Sequence, residues 1–239
     1  MYKMDINNFD KIIIYQFGKV GSSTLWATFS KYKETRHTHY FNKNMLKGNT
    51  LIINVVRNLF DRNISALFEC INYKPIRADY IIPKDGKHIR EGVILYTEKR
   101  EVNDMINFFR EVNIEKLLKI RYKNWYTYFN EQLGINIFSD PFDTNKKYDL
   151  YKTDNITVII LRFEDIDDWE NILNTLFTQE IKLKSENLTN QKNIYDLYTL
   201  FKKNYKYSDE EINLIKEIDF MKKYYTEDEI TKFIKKYNN

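Results

Sequence analysis

The spacing of apolar residues changes period several times along the chain, and each change marks an element. Residues 11–17, "KIIIYQF", are apolar at almost every position and rich in β-branched and aromatic side chains, which predicts a buried strand from Lys11 to Phe17. Gly18 ends it. From Ser22 or Ser23 the period lengthens: Leu25, Phe29 and Tyr32 fall on one helical face, with a serine placed to cap the N-terminus. "TLIINVV", Thr50 to Val56, predicts a second strand, and "RNLFDRNISALFE" after it a turn into a helix. "NITVIILRFEDI" predicts a third strand over Ile156 to Phe163. Helical periods also run over Glu101 to Asn113 and Ile114 to Gln132, where Gly134 stops the second and "INIF" predicts a short strand. The tail reads as helical, and Ser208 with Glu211 and Thr226 with Glu229 have capping-box spacing. Asn72 to about Gly92 has no clear period and reads as irregular or as a short hairpin, either a solvated loop or an acceptor-binding lid.

Strands alternating with helices imply an α/β fold: a three-layer domain with a mainly parallel central sheet, a helical C-terminal portion, and sites at the carboxyl ends of strands. With 239 residues and no linker, repeat or low-complexity segment, one domain spanning 1–239 is expected. The chain is 43% hydrophobic and 30% charged, which suits a folded protein. Its 38 basic residues are dispersed among 34 acidic ones, so the net charge of +4 biases the protein mildly toward anions without forming a nucleic-acid stripe. Cys70 is the single cysteine, which rules out an intramolecular disulfide and a multi-cysteine metal site. The polar start "MYKMDINNFDK" lacks the apolar core of a secretory signal, and no run approaches the ~20 apolar residues of a membrane span. A soluble cytoplasmic protein with no membrane partner is therefore expected.

The candidate chemistry sits where the first strand becomes a helix, in "YQFGKVGSSTLW". A strand-to-helix loop points backbone N–H groups at whatever lies above the helix, and the helix dipole adds partial positive charge there. Gly18 and Gly21 permit a close backbone cradle, Lys19 adds a mobile charge, and Ser22, Ser23 and Thr24 offer hydroxyls. The loop suits phosphate or its isostere sulfate; the bland alternative is a glycine turn with a capping serine and a solvated lysine. In the nucleotide triphosphatase loop the lysine follows the second glycine, whereas here Lys19 precedes Gly21.

"GKVGSSTL" resembles the 5'-phosphosulfate loop of the sulfotransferases, whose donor is 3'-phosphoadenosine 5'-phosphosulfate (PAPS). "VVRNLFDRNISALF" resembles their second motif, in which arginine and serine hold the 3'-phosphate, here Arg57 and Ser65. Between the two, Thr38-His39 in "TRHTHYF" resembles the Thr-His dipeptide that many of these enzymes place ahead of the arginine-bearing strand. "YKNWYTYFNEQLGINIFSDPFDTNKKYDLY" followed by "VIILRFEDI" is similar to a family of capsular polysaccharide synthesis proteins named for an Asn-Lys-Trp-Tyr-Ser signature; this chain reads Lys123-Asn124-Trp125-Tyr126-Thr127. Together these matches cover roughly Lys11 to Asp168.

The resemblance implies a P-loop-like fold with a nucleotide-binding core at about 11–70 and 156–180, an acceptor region at about 71–150 and a helical tail at about 190–239. It implies sulfuryl transfer from PAPS to a hydroxyl of a carbohydrate or polysaccharide, with no metal. Gly18, Lys19, Val20, Gly21, Ser22, Ser23 and Thr24 would hold the phosphosulfate, and Lys19 would also act in catalysis. His39 would take the acceptor's proton, with His37, two residues away, as the alternative base. Glu164 in "RFED" either orders the site or the acceptor or is a helix-start carboxylate, and Trp125, Tyr126 and Phe129 read as helix core rather than as a sugar platform. Two other classes stay open: a nucleotide-dependent kinase, and a non-catalytic module that binds nucleotide and glycan.

Overall fold

A computed structural model of the chain describes residues 2–16, 18–40, 42–72, 101–111, 129–184 and 195–238. The irregular tract after Asn72, with His88, lies outside the described residues, as do the strand-end Phe17, Trp125 and Tyr126. The chain divides into two compact units. The first comprises Met1–Asn58, Trp125–Leu188 and Lys223–Tyr225, and the second Leu59–Asn124, Thr189–Lys222 and Thr226–Asn239.

The first unit is an α/β structure on a five-stranded sheet. Its strands are β1 (Lys11–Tyr15), β2 (Thr35–Thr38), β3 (Thr50–Val56), β4 (Tyr148–Lys152) and β5 (Ile156–Arg162), in the order β2-β1-β3-β5-β4. β1 pairs in parallel with β2 and β3, and β3 with β5; β4 alone runs antiparallel, against β5. The register sets Ile14 beside His37 and Ile53, and Ile53 beside Ile159. Ile12, Ile14, Leu51, Ile53, Val55, Ile159 and Leu161 face helices α1 (Ser22–Phe29) and α4 (Trp169–Leu176), whose Leu25, Phe29, Trp169, Leu173 and Leu176 complete one apolar core. On the other face Ile13, Tyr15, Ile52, Val56, Val158 and Ile160 are buried as well, and Tyr15 meets Phe129 edge-on at 5.4 Å. Burial of both faces explains why these strands read as unbroken apolar runs rather than as alternating ones. Phe129 is core, as its sequence context suggested.

Three local expectations need correction. A serine was expected as N-cap of α1, but Gly21 occupies that position and Ser22 is the first helical residue. The helix closes at Phe29, so Tyr32 lies beyond it and instead donates its hydroxyl to the Glu180 carbonyl at 2.8 Å. "INIF" forms no strand: the Asn136 side chain accepts the Phe138 N–H at 3.1 Å and its carbonyl the Ser139 N–H at 3.2 Å, a turn that competes with any ladder. The strand in that part of the sequence is β4, whose mixed polar pattern gave no signal. It is fastened by Lys223, almost fully buried, which reaches the Asp149 carboxylate at 2.9 Å, the Tyr151 hydroxyl at 3.0 Å and the Asp140 carbonyl at 2.9 Å. Gly134, with φ 66°, does end the helical turn at 129–133, its N–H donating to the Asn130 carbonyl at 2.8 Å.

The second unit is helical where described. It holds α2 (Leu59–Asn72), α3 (Val102–Glu111), α5 (Tyr195–Asn204), α6 (Asp209–Lys216), most of α7 (Asp219–Tyr224) and α8 (Glu227–Asn238). Aromatic rings fill its interior: Phe109 packs edge-on against Phe201, Tyr205 and Tyr207, and Tyr207 against Phe60 and Tyr237. Buried hydroxyls need acceptors, and Tyr207 donates to the Phe60 carbonyl at 2.8 Å while Tyr237 donates to Asp61. Lys236 completes the Asp61 site at 2.7 and 2.9 Å. Both capping boxes form: Glu211 accepts the Ser208 N–H at 2.7 Å, and Glu229 the Thr226 N–H at 2.9 Å. Among the described residues no helix is long and apolar enough to cross a membrane.

Candidate active site

Because β1, β2, β3 and β5 are parallel, the segments that follow them emerge at one edge of the first unit. That edge gathers Gln16, the loop 18–21, His37 and His39, Arg57-Asn58 and Phe163-Glu164.

The loop turns in a left-handed conformation at Gly18 (φ 97°), Lys19 (φ 61°) and Gly21 (φ 75°). Left-handed residues next to right-handed ones, as Lys19, Val20 and Gly21 are here, can turn successive N–H groups to one side, a shape that suits anions. Lys19 is the costly member, since a residue with a Cβ at positive φ stores strain that the surroundings must hold. Two contacts hold it. Val20 is fully buried in the apolar core and plugs the loop into it. The Arg57 guanidinium donates from Nη1 to the Lys19 carbonyl at 2.8 Å. Gly21 has a second reason to be glycine: an added Cβ would stand 2.9 Å from the Phe163 ring and 3.3 Å from Trp169. In the N-cap position it contributes no side-chain cap, so the first-turn amides of α1 depend on some other acceptor. Thr24 and Ser22 are buried and Ser23 half-buried; the Thr24 N–H turns back to the Gly21 carbonyl at 3.1 Å.

Arg57 leaves the end of β3 with its guanidinium over the Phe163 ring, 4.2 Å from the centroid. Its Nε is buried and finds no partner among the described residues. A cation fixed beside an inward-facing loop, with a donor to spare, fits an oxyanion. Glu164 is oriented toward the same turn: it accepts the Asn58 backbone N–H at 2.9 Å and side-chain N–H at 2.6 Å, and the Tyr225 hydroxyl at 2.8 Å. Glu164 therefore orders the residues after Arg57, and it also lies in the first turn of the short 3-10 helix Phe163–Asp168, so it is a helix-start carboxylate as well. Behind it, Arg162 and Asp165 form a buried two-pronged ion pair at 2.7 and 3.0 Å.

The histidines differ in their contacts. His37, on edge strand β2, places Nε2 2.9 Å from the Ser22 hydroxyl and stacks on Trp26 at 6.2 Å. The residue is exposed overall, but partial desolvation of its ring, with His39 nearby, pushes its pKa below the ordinary histidine value. His39, just past β2, contacts the loop through Gln16: its Nδ1 is 3.1 Å from the Gln16 carbonyl, and the Gln16 amide nitrogen lies 3.2 Å from the ring. Gln16 was not legible as a site residue, although a glutamine ending a run of buried apolar residues was a signal. Asn58 and Phe163 carried none.

Lys19, Val20, Gly21, Ser22, Arg57, His37 and His39 are thus brought to one edge. Ser65 is half-buried on α2 in the second unit. Among the described residues no group of three or more His, Cys, Asp or Glu side chains could hold a metal ion. What the edge can do chemically is bind an anion at the loop and move a proton at a neighbouring imidazole. No family model, curated protein or solved structure matches the chain.

Proposed function

We propose that the chain transfers a sulfuryl group from PAPS to a hydroxyl of an acceptor, a carbohydrate in the class its sequence resembles. The observation that carries this is the joint arrangement of the left-handed loop and Arg57, whose guanidinium is bonded to the loop's own Lys19 carbonyl and keeps a buried Nε in reserve. The order Lys19-Val20-Gly21 favours a sulfotransferase-type loop, and the reading takes the first unit as a three-layer, P-loop-like nucleotide fold of a soluble cytoplasmic enzyme.

The donor supplies a sulfuryl group on a phosphate leaving group. The acceptor oxygen forms a bond to sulfur as the bond from sulfur to the bridging oxygen breaks. The electron pair stays with the phosphate, and the hydroxyl proton goes to an imidazole. The chain's task is electrostatic and positional. Lys19, the loop amides and the Ser22 to Thr24 hydroxyls face the oxygen on which charge grows, and fixed donors stabilise such charge without reorganising. Arg57 holds the donor's other anionic group and so its reach. His39 accepts the proton, with His37 as the alternative; a positioned histidine contributes typically ~10²–10⁴-fold.

The test is thermal stability with 3',5'-ADP against ATP with Mg²⁺, since a ligand at ~100 times its dissociation constant adds ~2.7 kcal/mol. An upward shift with 3',5'-ADP, lost in Arg57→Ala and Lys19→Ala, is expected. Preference for ATP would place the chain among kinases, and binding without turnover on any acceptor would make it a non-catalytic module. His39→Ala should lower turnover with donor affinity nearly intact; unchanged turnover moves the base to His37.

A further inference from the structure

The Ser22 hydroxyl, at the first position of α1 and buried beside the loop, makes one hydrogen bond among the described residues: its Oγ stands 2.9 Å from Nε2 of His37. Trp26, one helical turn on, stacks on the same imidazole at 18° with ring centroids 6.2 Å apart, and its Nε1–H donates to the Thr35 carbonyl of β2 at 3.2 Å. In the sulfuryl-transfer scheme the Ser22 hydroxyl donates to the bound anion, yet it has a single hydrogen to give. A neutral imidazole with its lone pair on Nε2 takes that hydrogen. An imidazolium carries hydrogen on both nitrogens, so it donates to Oγ and leaves the hydroxyl hydrogen for the loop. The neutral ring does the same only in the tautomer with its one hydrogen on Nε2, and it then adds no charge.

We propose that His37 is a positioning residue of the anion site and not the base: protonated, it donates Nε2–H to Ser22 and so directs the Ser22 hydroxyl to an oxyanion at the loop. The inference rests on the sulfotransferase reading for which anion binds, and on the Ser22–His37 contact for the rest. The elements around the ring hold no acid: β1, β2 and α1 contain none, and β1 sets Ile14 beside His37. Arg36 precedes it on the opposite face of β2, and His39, two residues on, adds to desolvation in lowering its pKa. Lys19 and Arg57 bring positive charge to the same edge, where the Glu164 carboxylate is bonded to Asn58 and Tyr225. These surroundings disfavour a proton on His37, and an oxyanion beside Ser22 reverses that balance. Protonation and anion binding therefore favour each other. Affinity rises as pH falls through the anion-bound pKa and levels off below the pKa of the free protein. So engaged, His37 has no lone pair at Nε2 for an acceptor hydroxyl, which leaves proton abstraction to His39.

The experiment titrates the His37 ring by NMR from about pH 8 to about pH 5, across the ordinary histidine range, in sodium sulfate and in sodium chloride of equal ionic strength. Sulfate is the probe because its charge stays fixed there, whereas a phosphate monoester takes up a proton near about pH 6. Sulfate should raise the His37 pKa by roughly one unit, so that its binding tightens roughly tenfold from the alkaline to the acid end. His37→Gln keeps a side-chain N–H for Ser22 but cannot titrate, and most of that tenfold should vanish in it. Ser22→Ala should leave sulfate binding unchanged at the alkaline end and weaken it at the acid end, a pattern that a packing role would not produce. A His37 pKa unmoved or lowered by sulfate, or equal weakening by Ser22→Ala at both ends, overturns the inference. Retained turnover in His39→Ala with turnover lost in His37→Gln overturns it too, since His37 would then be the base. Stabilisation by 3',5'-ADP with the His37 titration unmoved by sulfate refutes the inference while the donor reading stands. A His37 pKa raised by sulfate with no stabilisation by 3',5'-ADP supports the place of His37 in an anion site and refutes the donor reading instead.

Discussion

Alanine at Gly21 tests the loop geometry most directly, because the cost divides into two parts that a second glycine separates. Gly21 has φ 75°, and a residue with a Cβ pays ~1–2 kcal/mol in the left-handed region. Its Cβ would also stand 2.9 Å from Phe163 Cδ2 and Cε2 and 3.3 Å from Trp169, closer than packed atoms sit. Phe163 has little room to yield, since the Arg57 guanidinium lies over its ring at 4.2 Å and Trp169 is fully buried. Overpacking of this kind typically adds ~1–3 kcal/mol. Gly134 has φ 66° but nothing within 4 Å of an added Cβ, so its alanine variant carries the backbone cost alone. The expected losses are about 2–5 kcal/mol for Gly21→Ala and about 1–2 kcal/mol for Gly134→Ala. Urea unfolding followed by tryptophan fluorescence reads both from the midpoint shift at constant slope. Because Phe163 supports Arg57, Gly21→Ala should also weaken 3',5'-ADP binding while Gly134→Ala leaves it alone. Equal losses, within about 0.5 kcal/mol, would refute the close approach of Gly21 to Phe163.

Other perturbations follow from single contacts. Lys223→Met leaves the Asp149 carboxylate without its cation, and breaking such a buried pair costs ~3–5 kcal/mol in urea unfolding. Burial already pushes the Asp149 carboxyl above its ordinary pKa despite Lys223, so the loss in this variant should shrink as pH falls and the carboxyl takes up a proton. The lowered pKa of His37 means that the unfolded chain binds its proton first as pH drops past the ordinary histidine value. Stability from the neutral ring is therefore present above that pH and lost below it, and the melting temperature of the wild type should fall more steeply from pH 7 to 5 than that of His37→Gln. Ser208→Ala removes one half of the α6 capping box and should cost ~1 kcal/mol by the same unfolding assay; no loss would mean that the helix end is frayed in solution.

The parallel core of the sheet was legible because its strands are buried on both faces. β3 spans the same Thr50–Val56 that its apolar run marked, and β5 stops one residue short of the expected Phe163. β4 was not legible. An edge strand with half-buried faces has no apolar period, and Tyr148–Lys152 is held by the partner β5 and by Lys223, which is more than seventy residues away in the chain. "INIF" failed for the opposite reason: its isoleucines are buried, but Asn136 closes a turn that its apolar spacing does not reveal. At the site, the glycines, lysine and hydroxyl residues announced a loop that suits anions. Their spacing held no information on what braces that loop, which is Arg57 across the sheet and Val20 beneath it.

By itself the sequence determined the order of the main elements, the buried strands and the glycine positions, because these depend on side-chain polarity and local backbone freedom. Tertiary structure alone decided which polar groups meet. His37 faces the Ser22 hydroxyl and His39 faces Gln16 because β2 pairs in parallel with β1, a register that sets Thr38 beside Tyr15. Glu164 steadies the turn after Arg57 because β3 and β5 are neighbours in the sheet although about a hundred residues separate them in the chain. Hydrogen bonds act over about 3 Å and sequence patterns over a few residues, so a pairing that depends on strand order becomes visible only when the strands are in place.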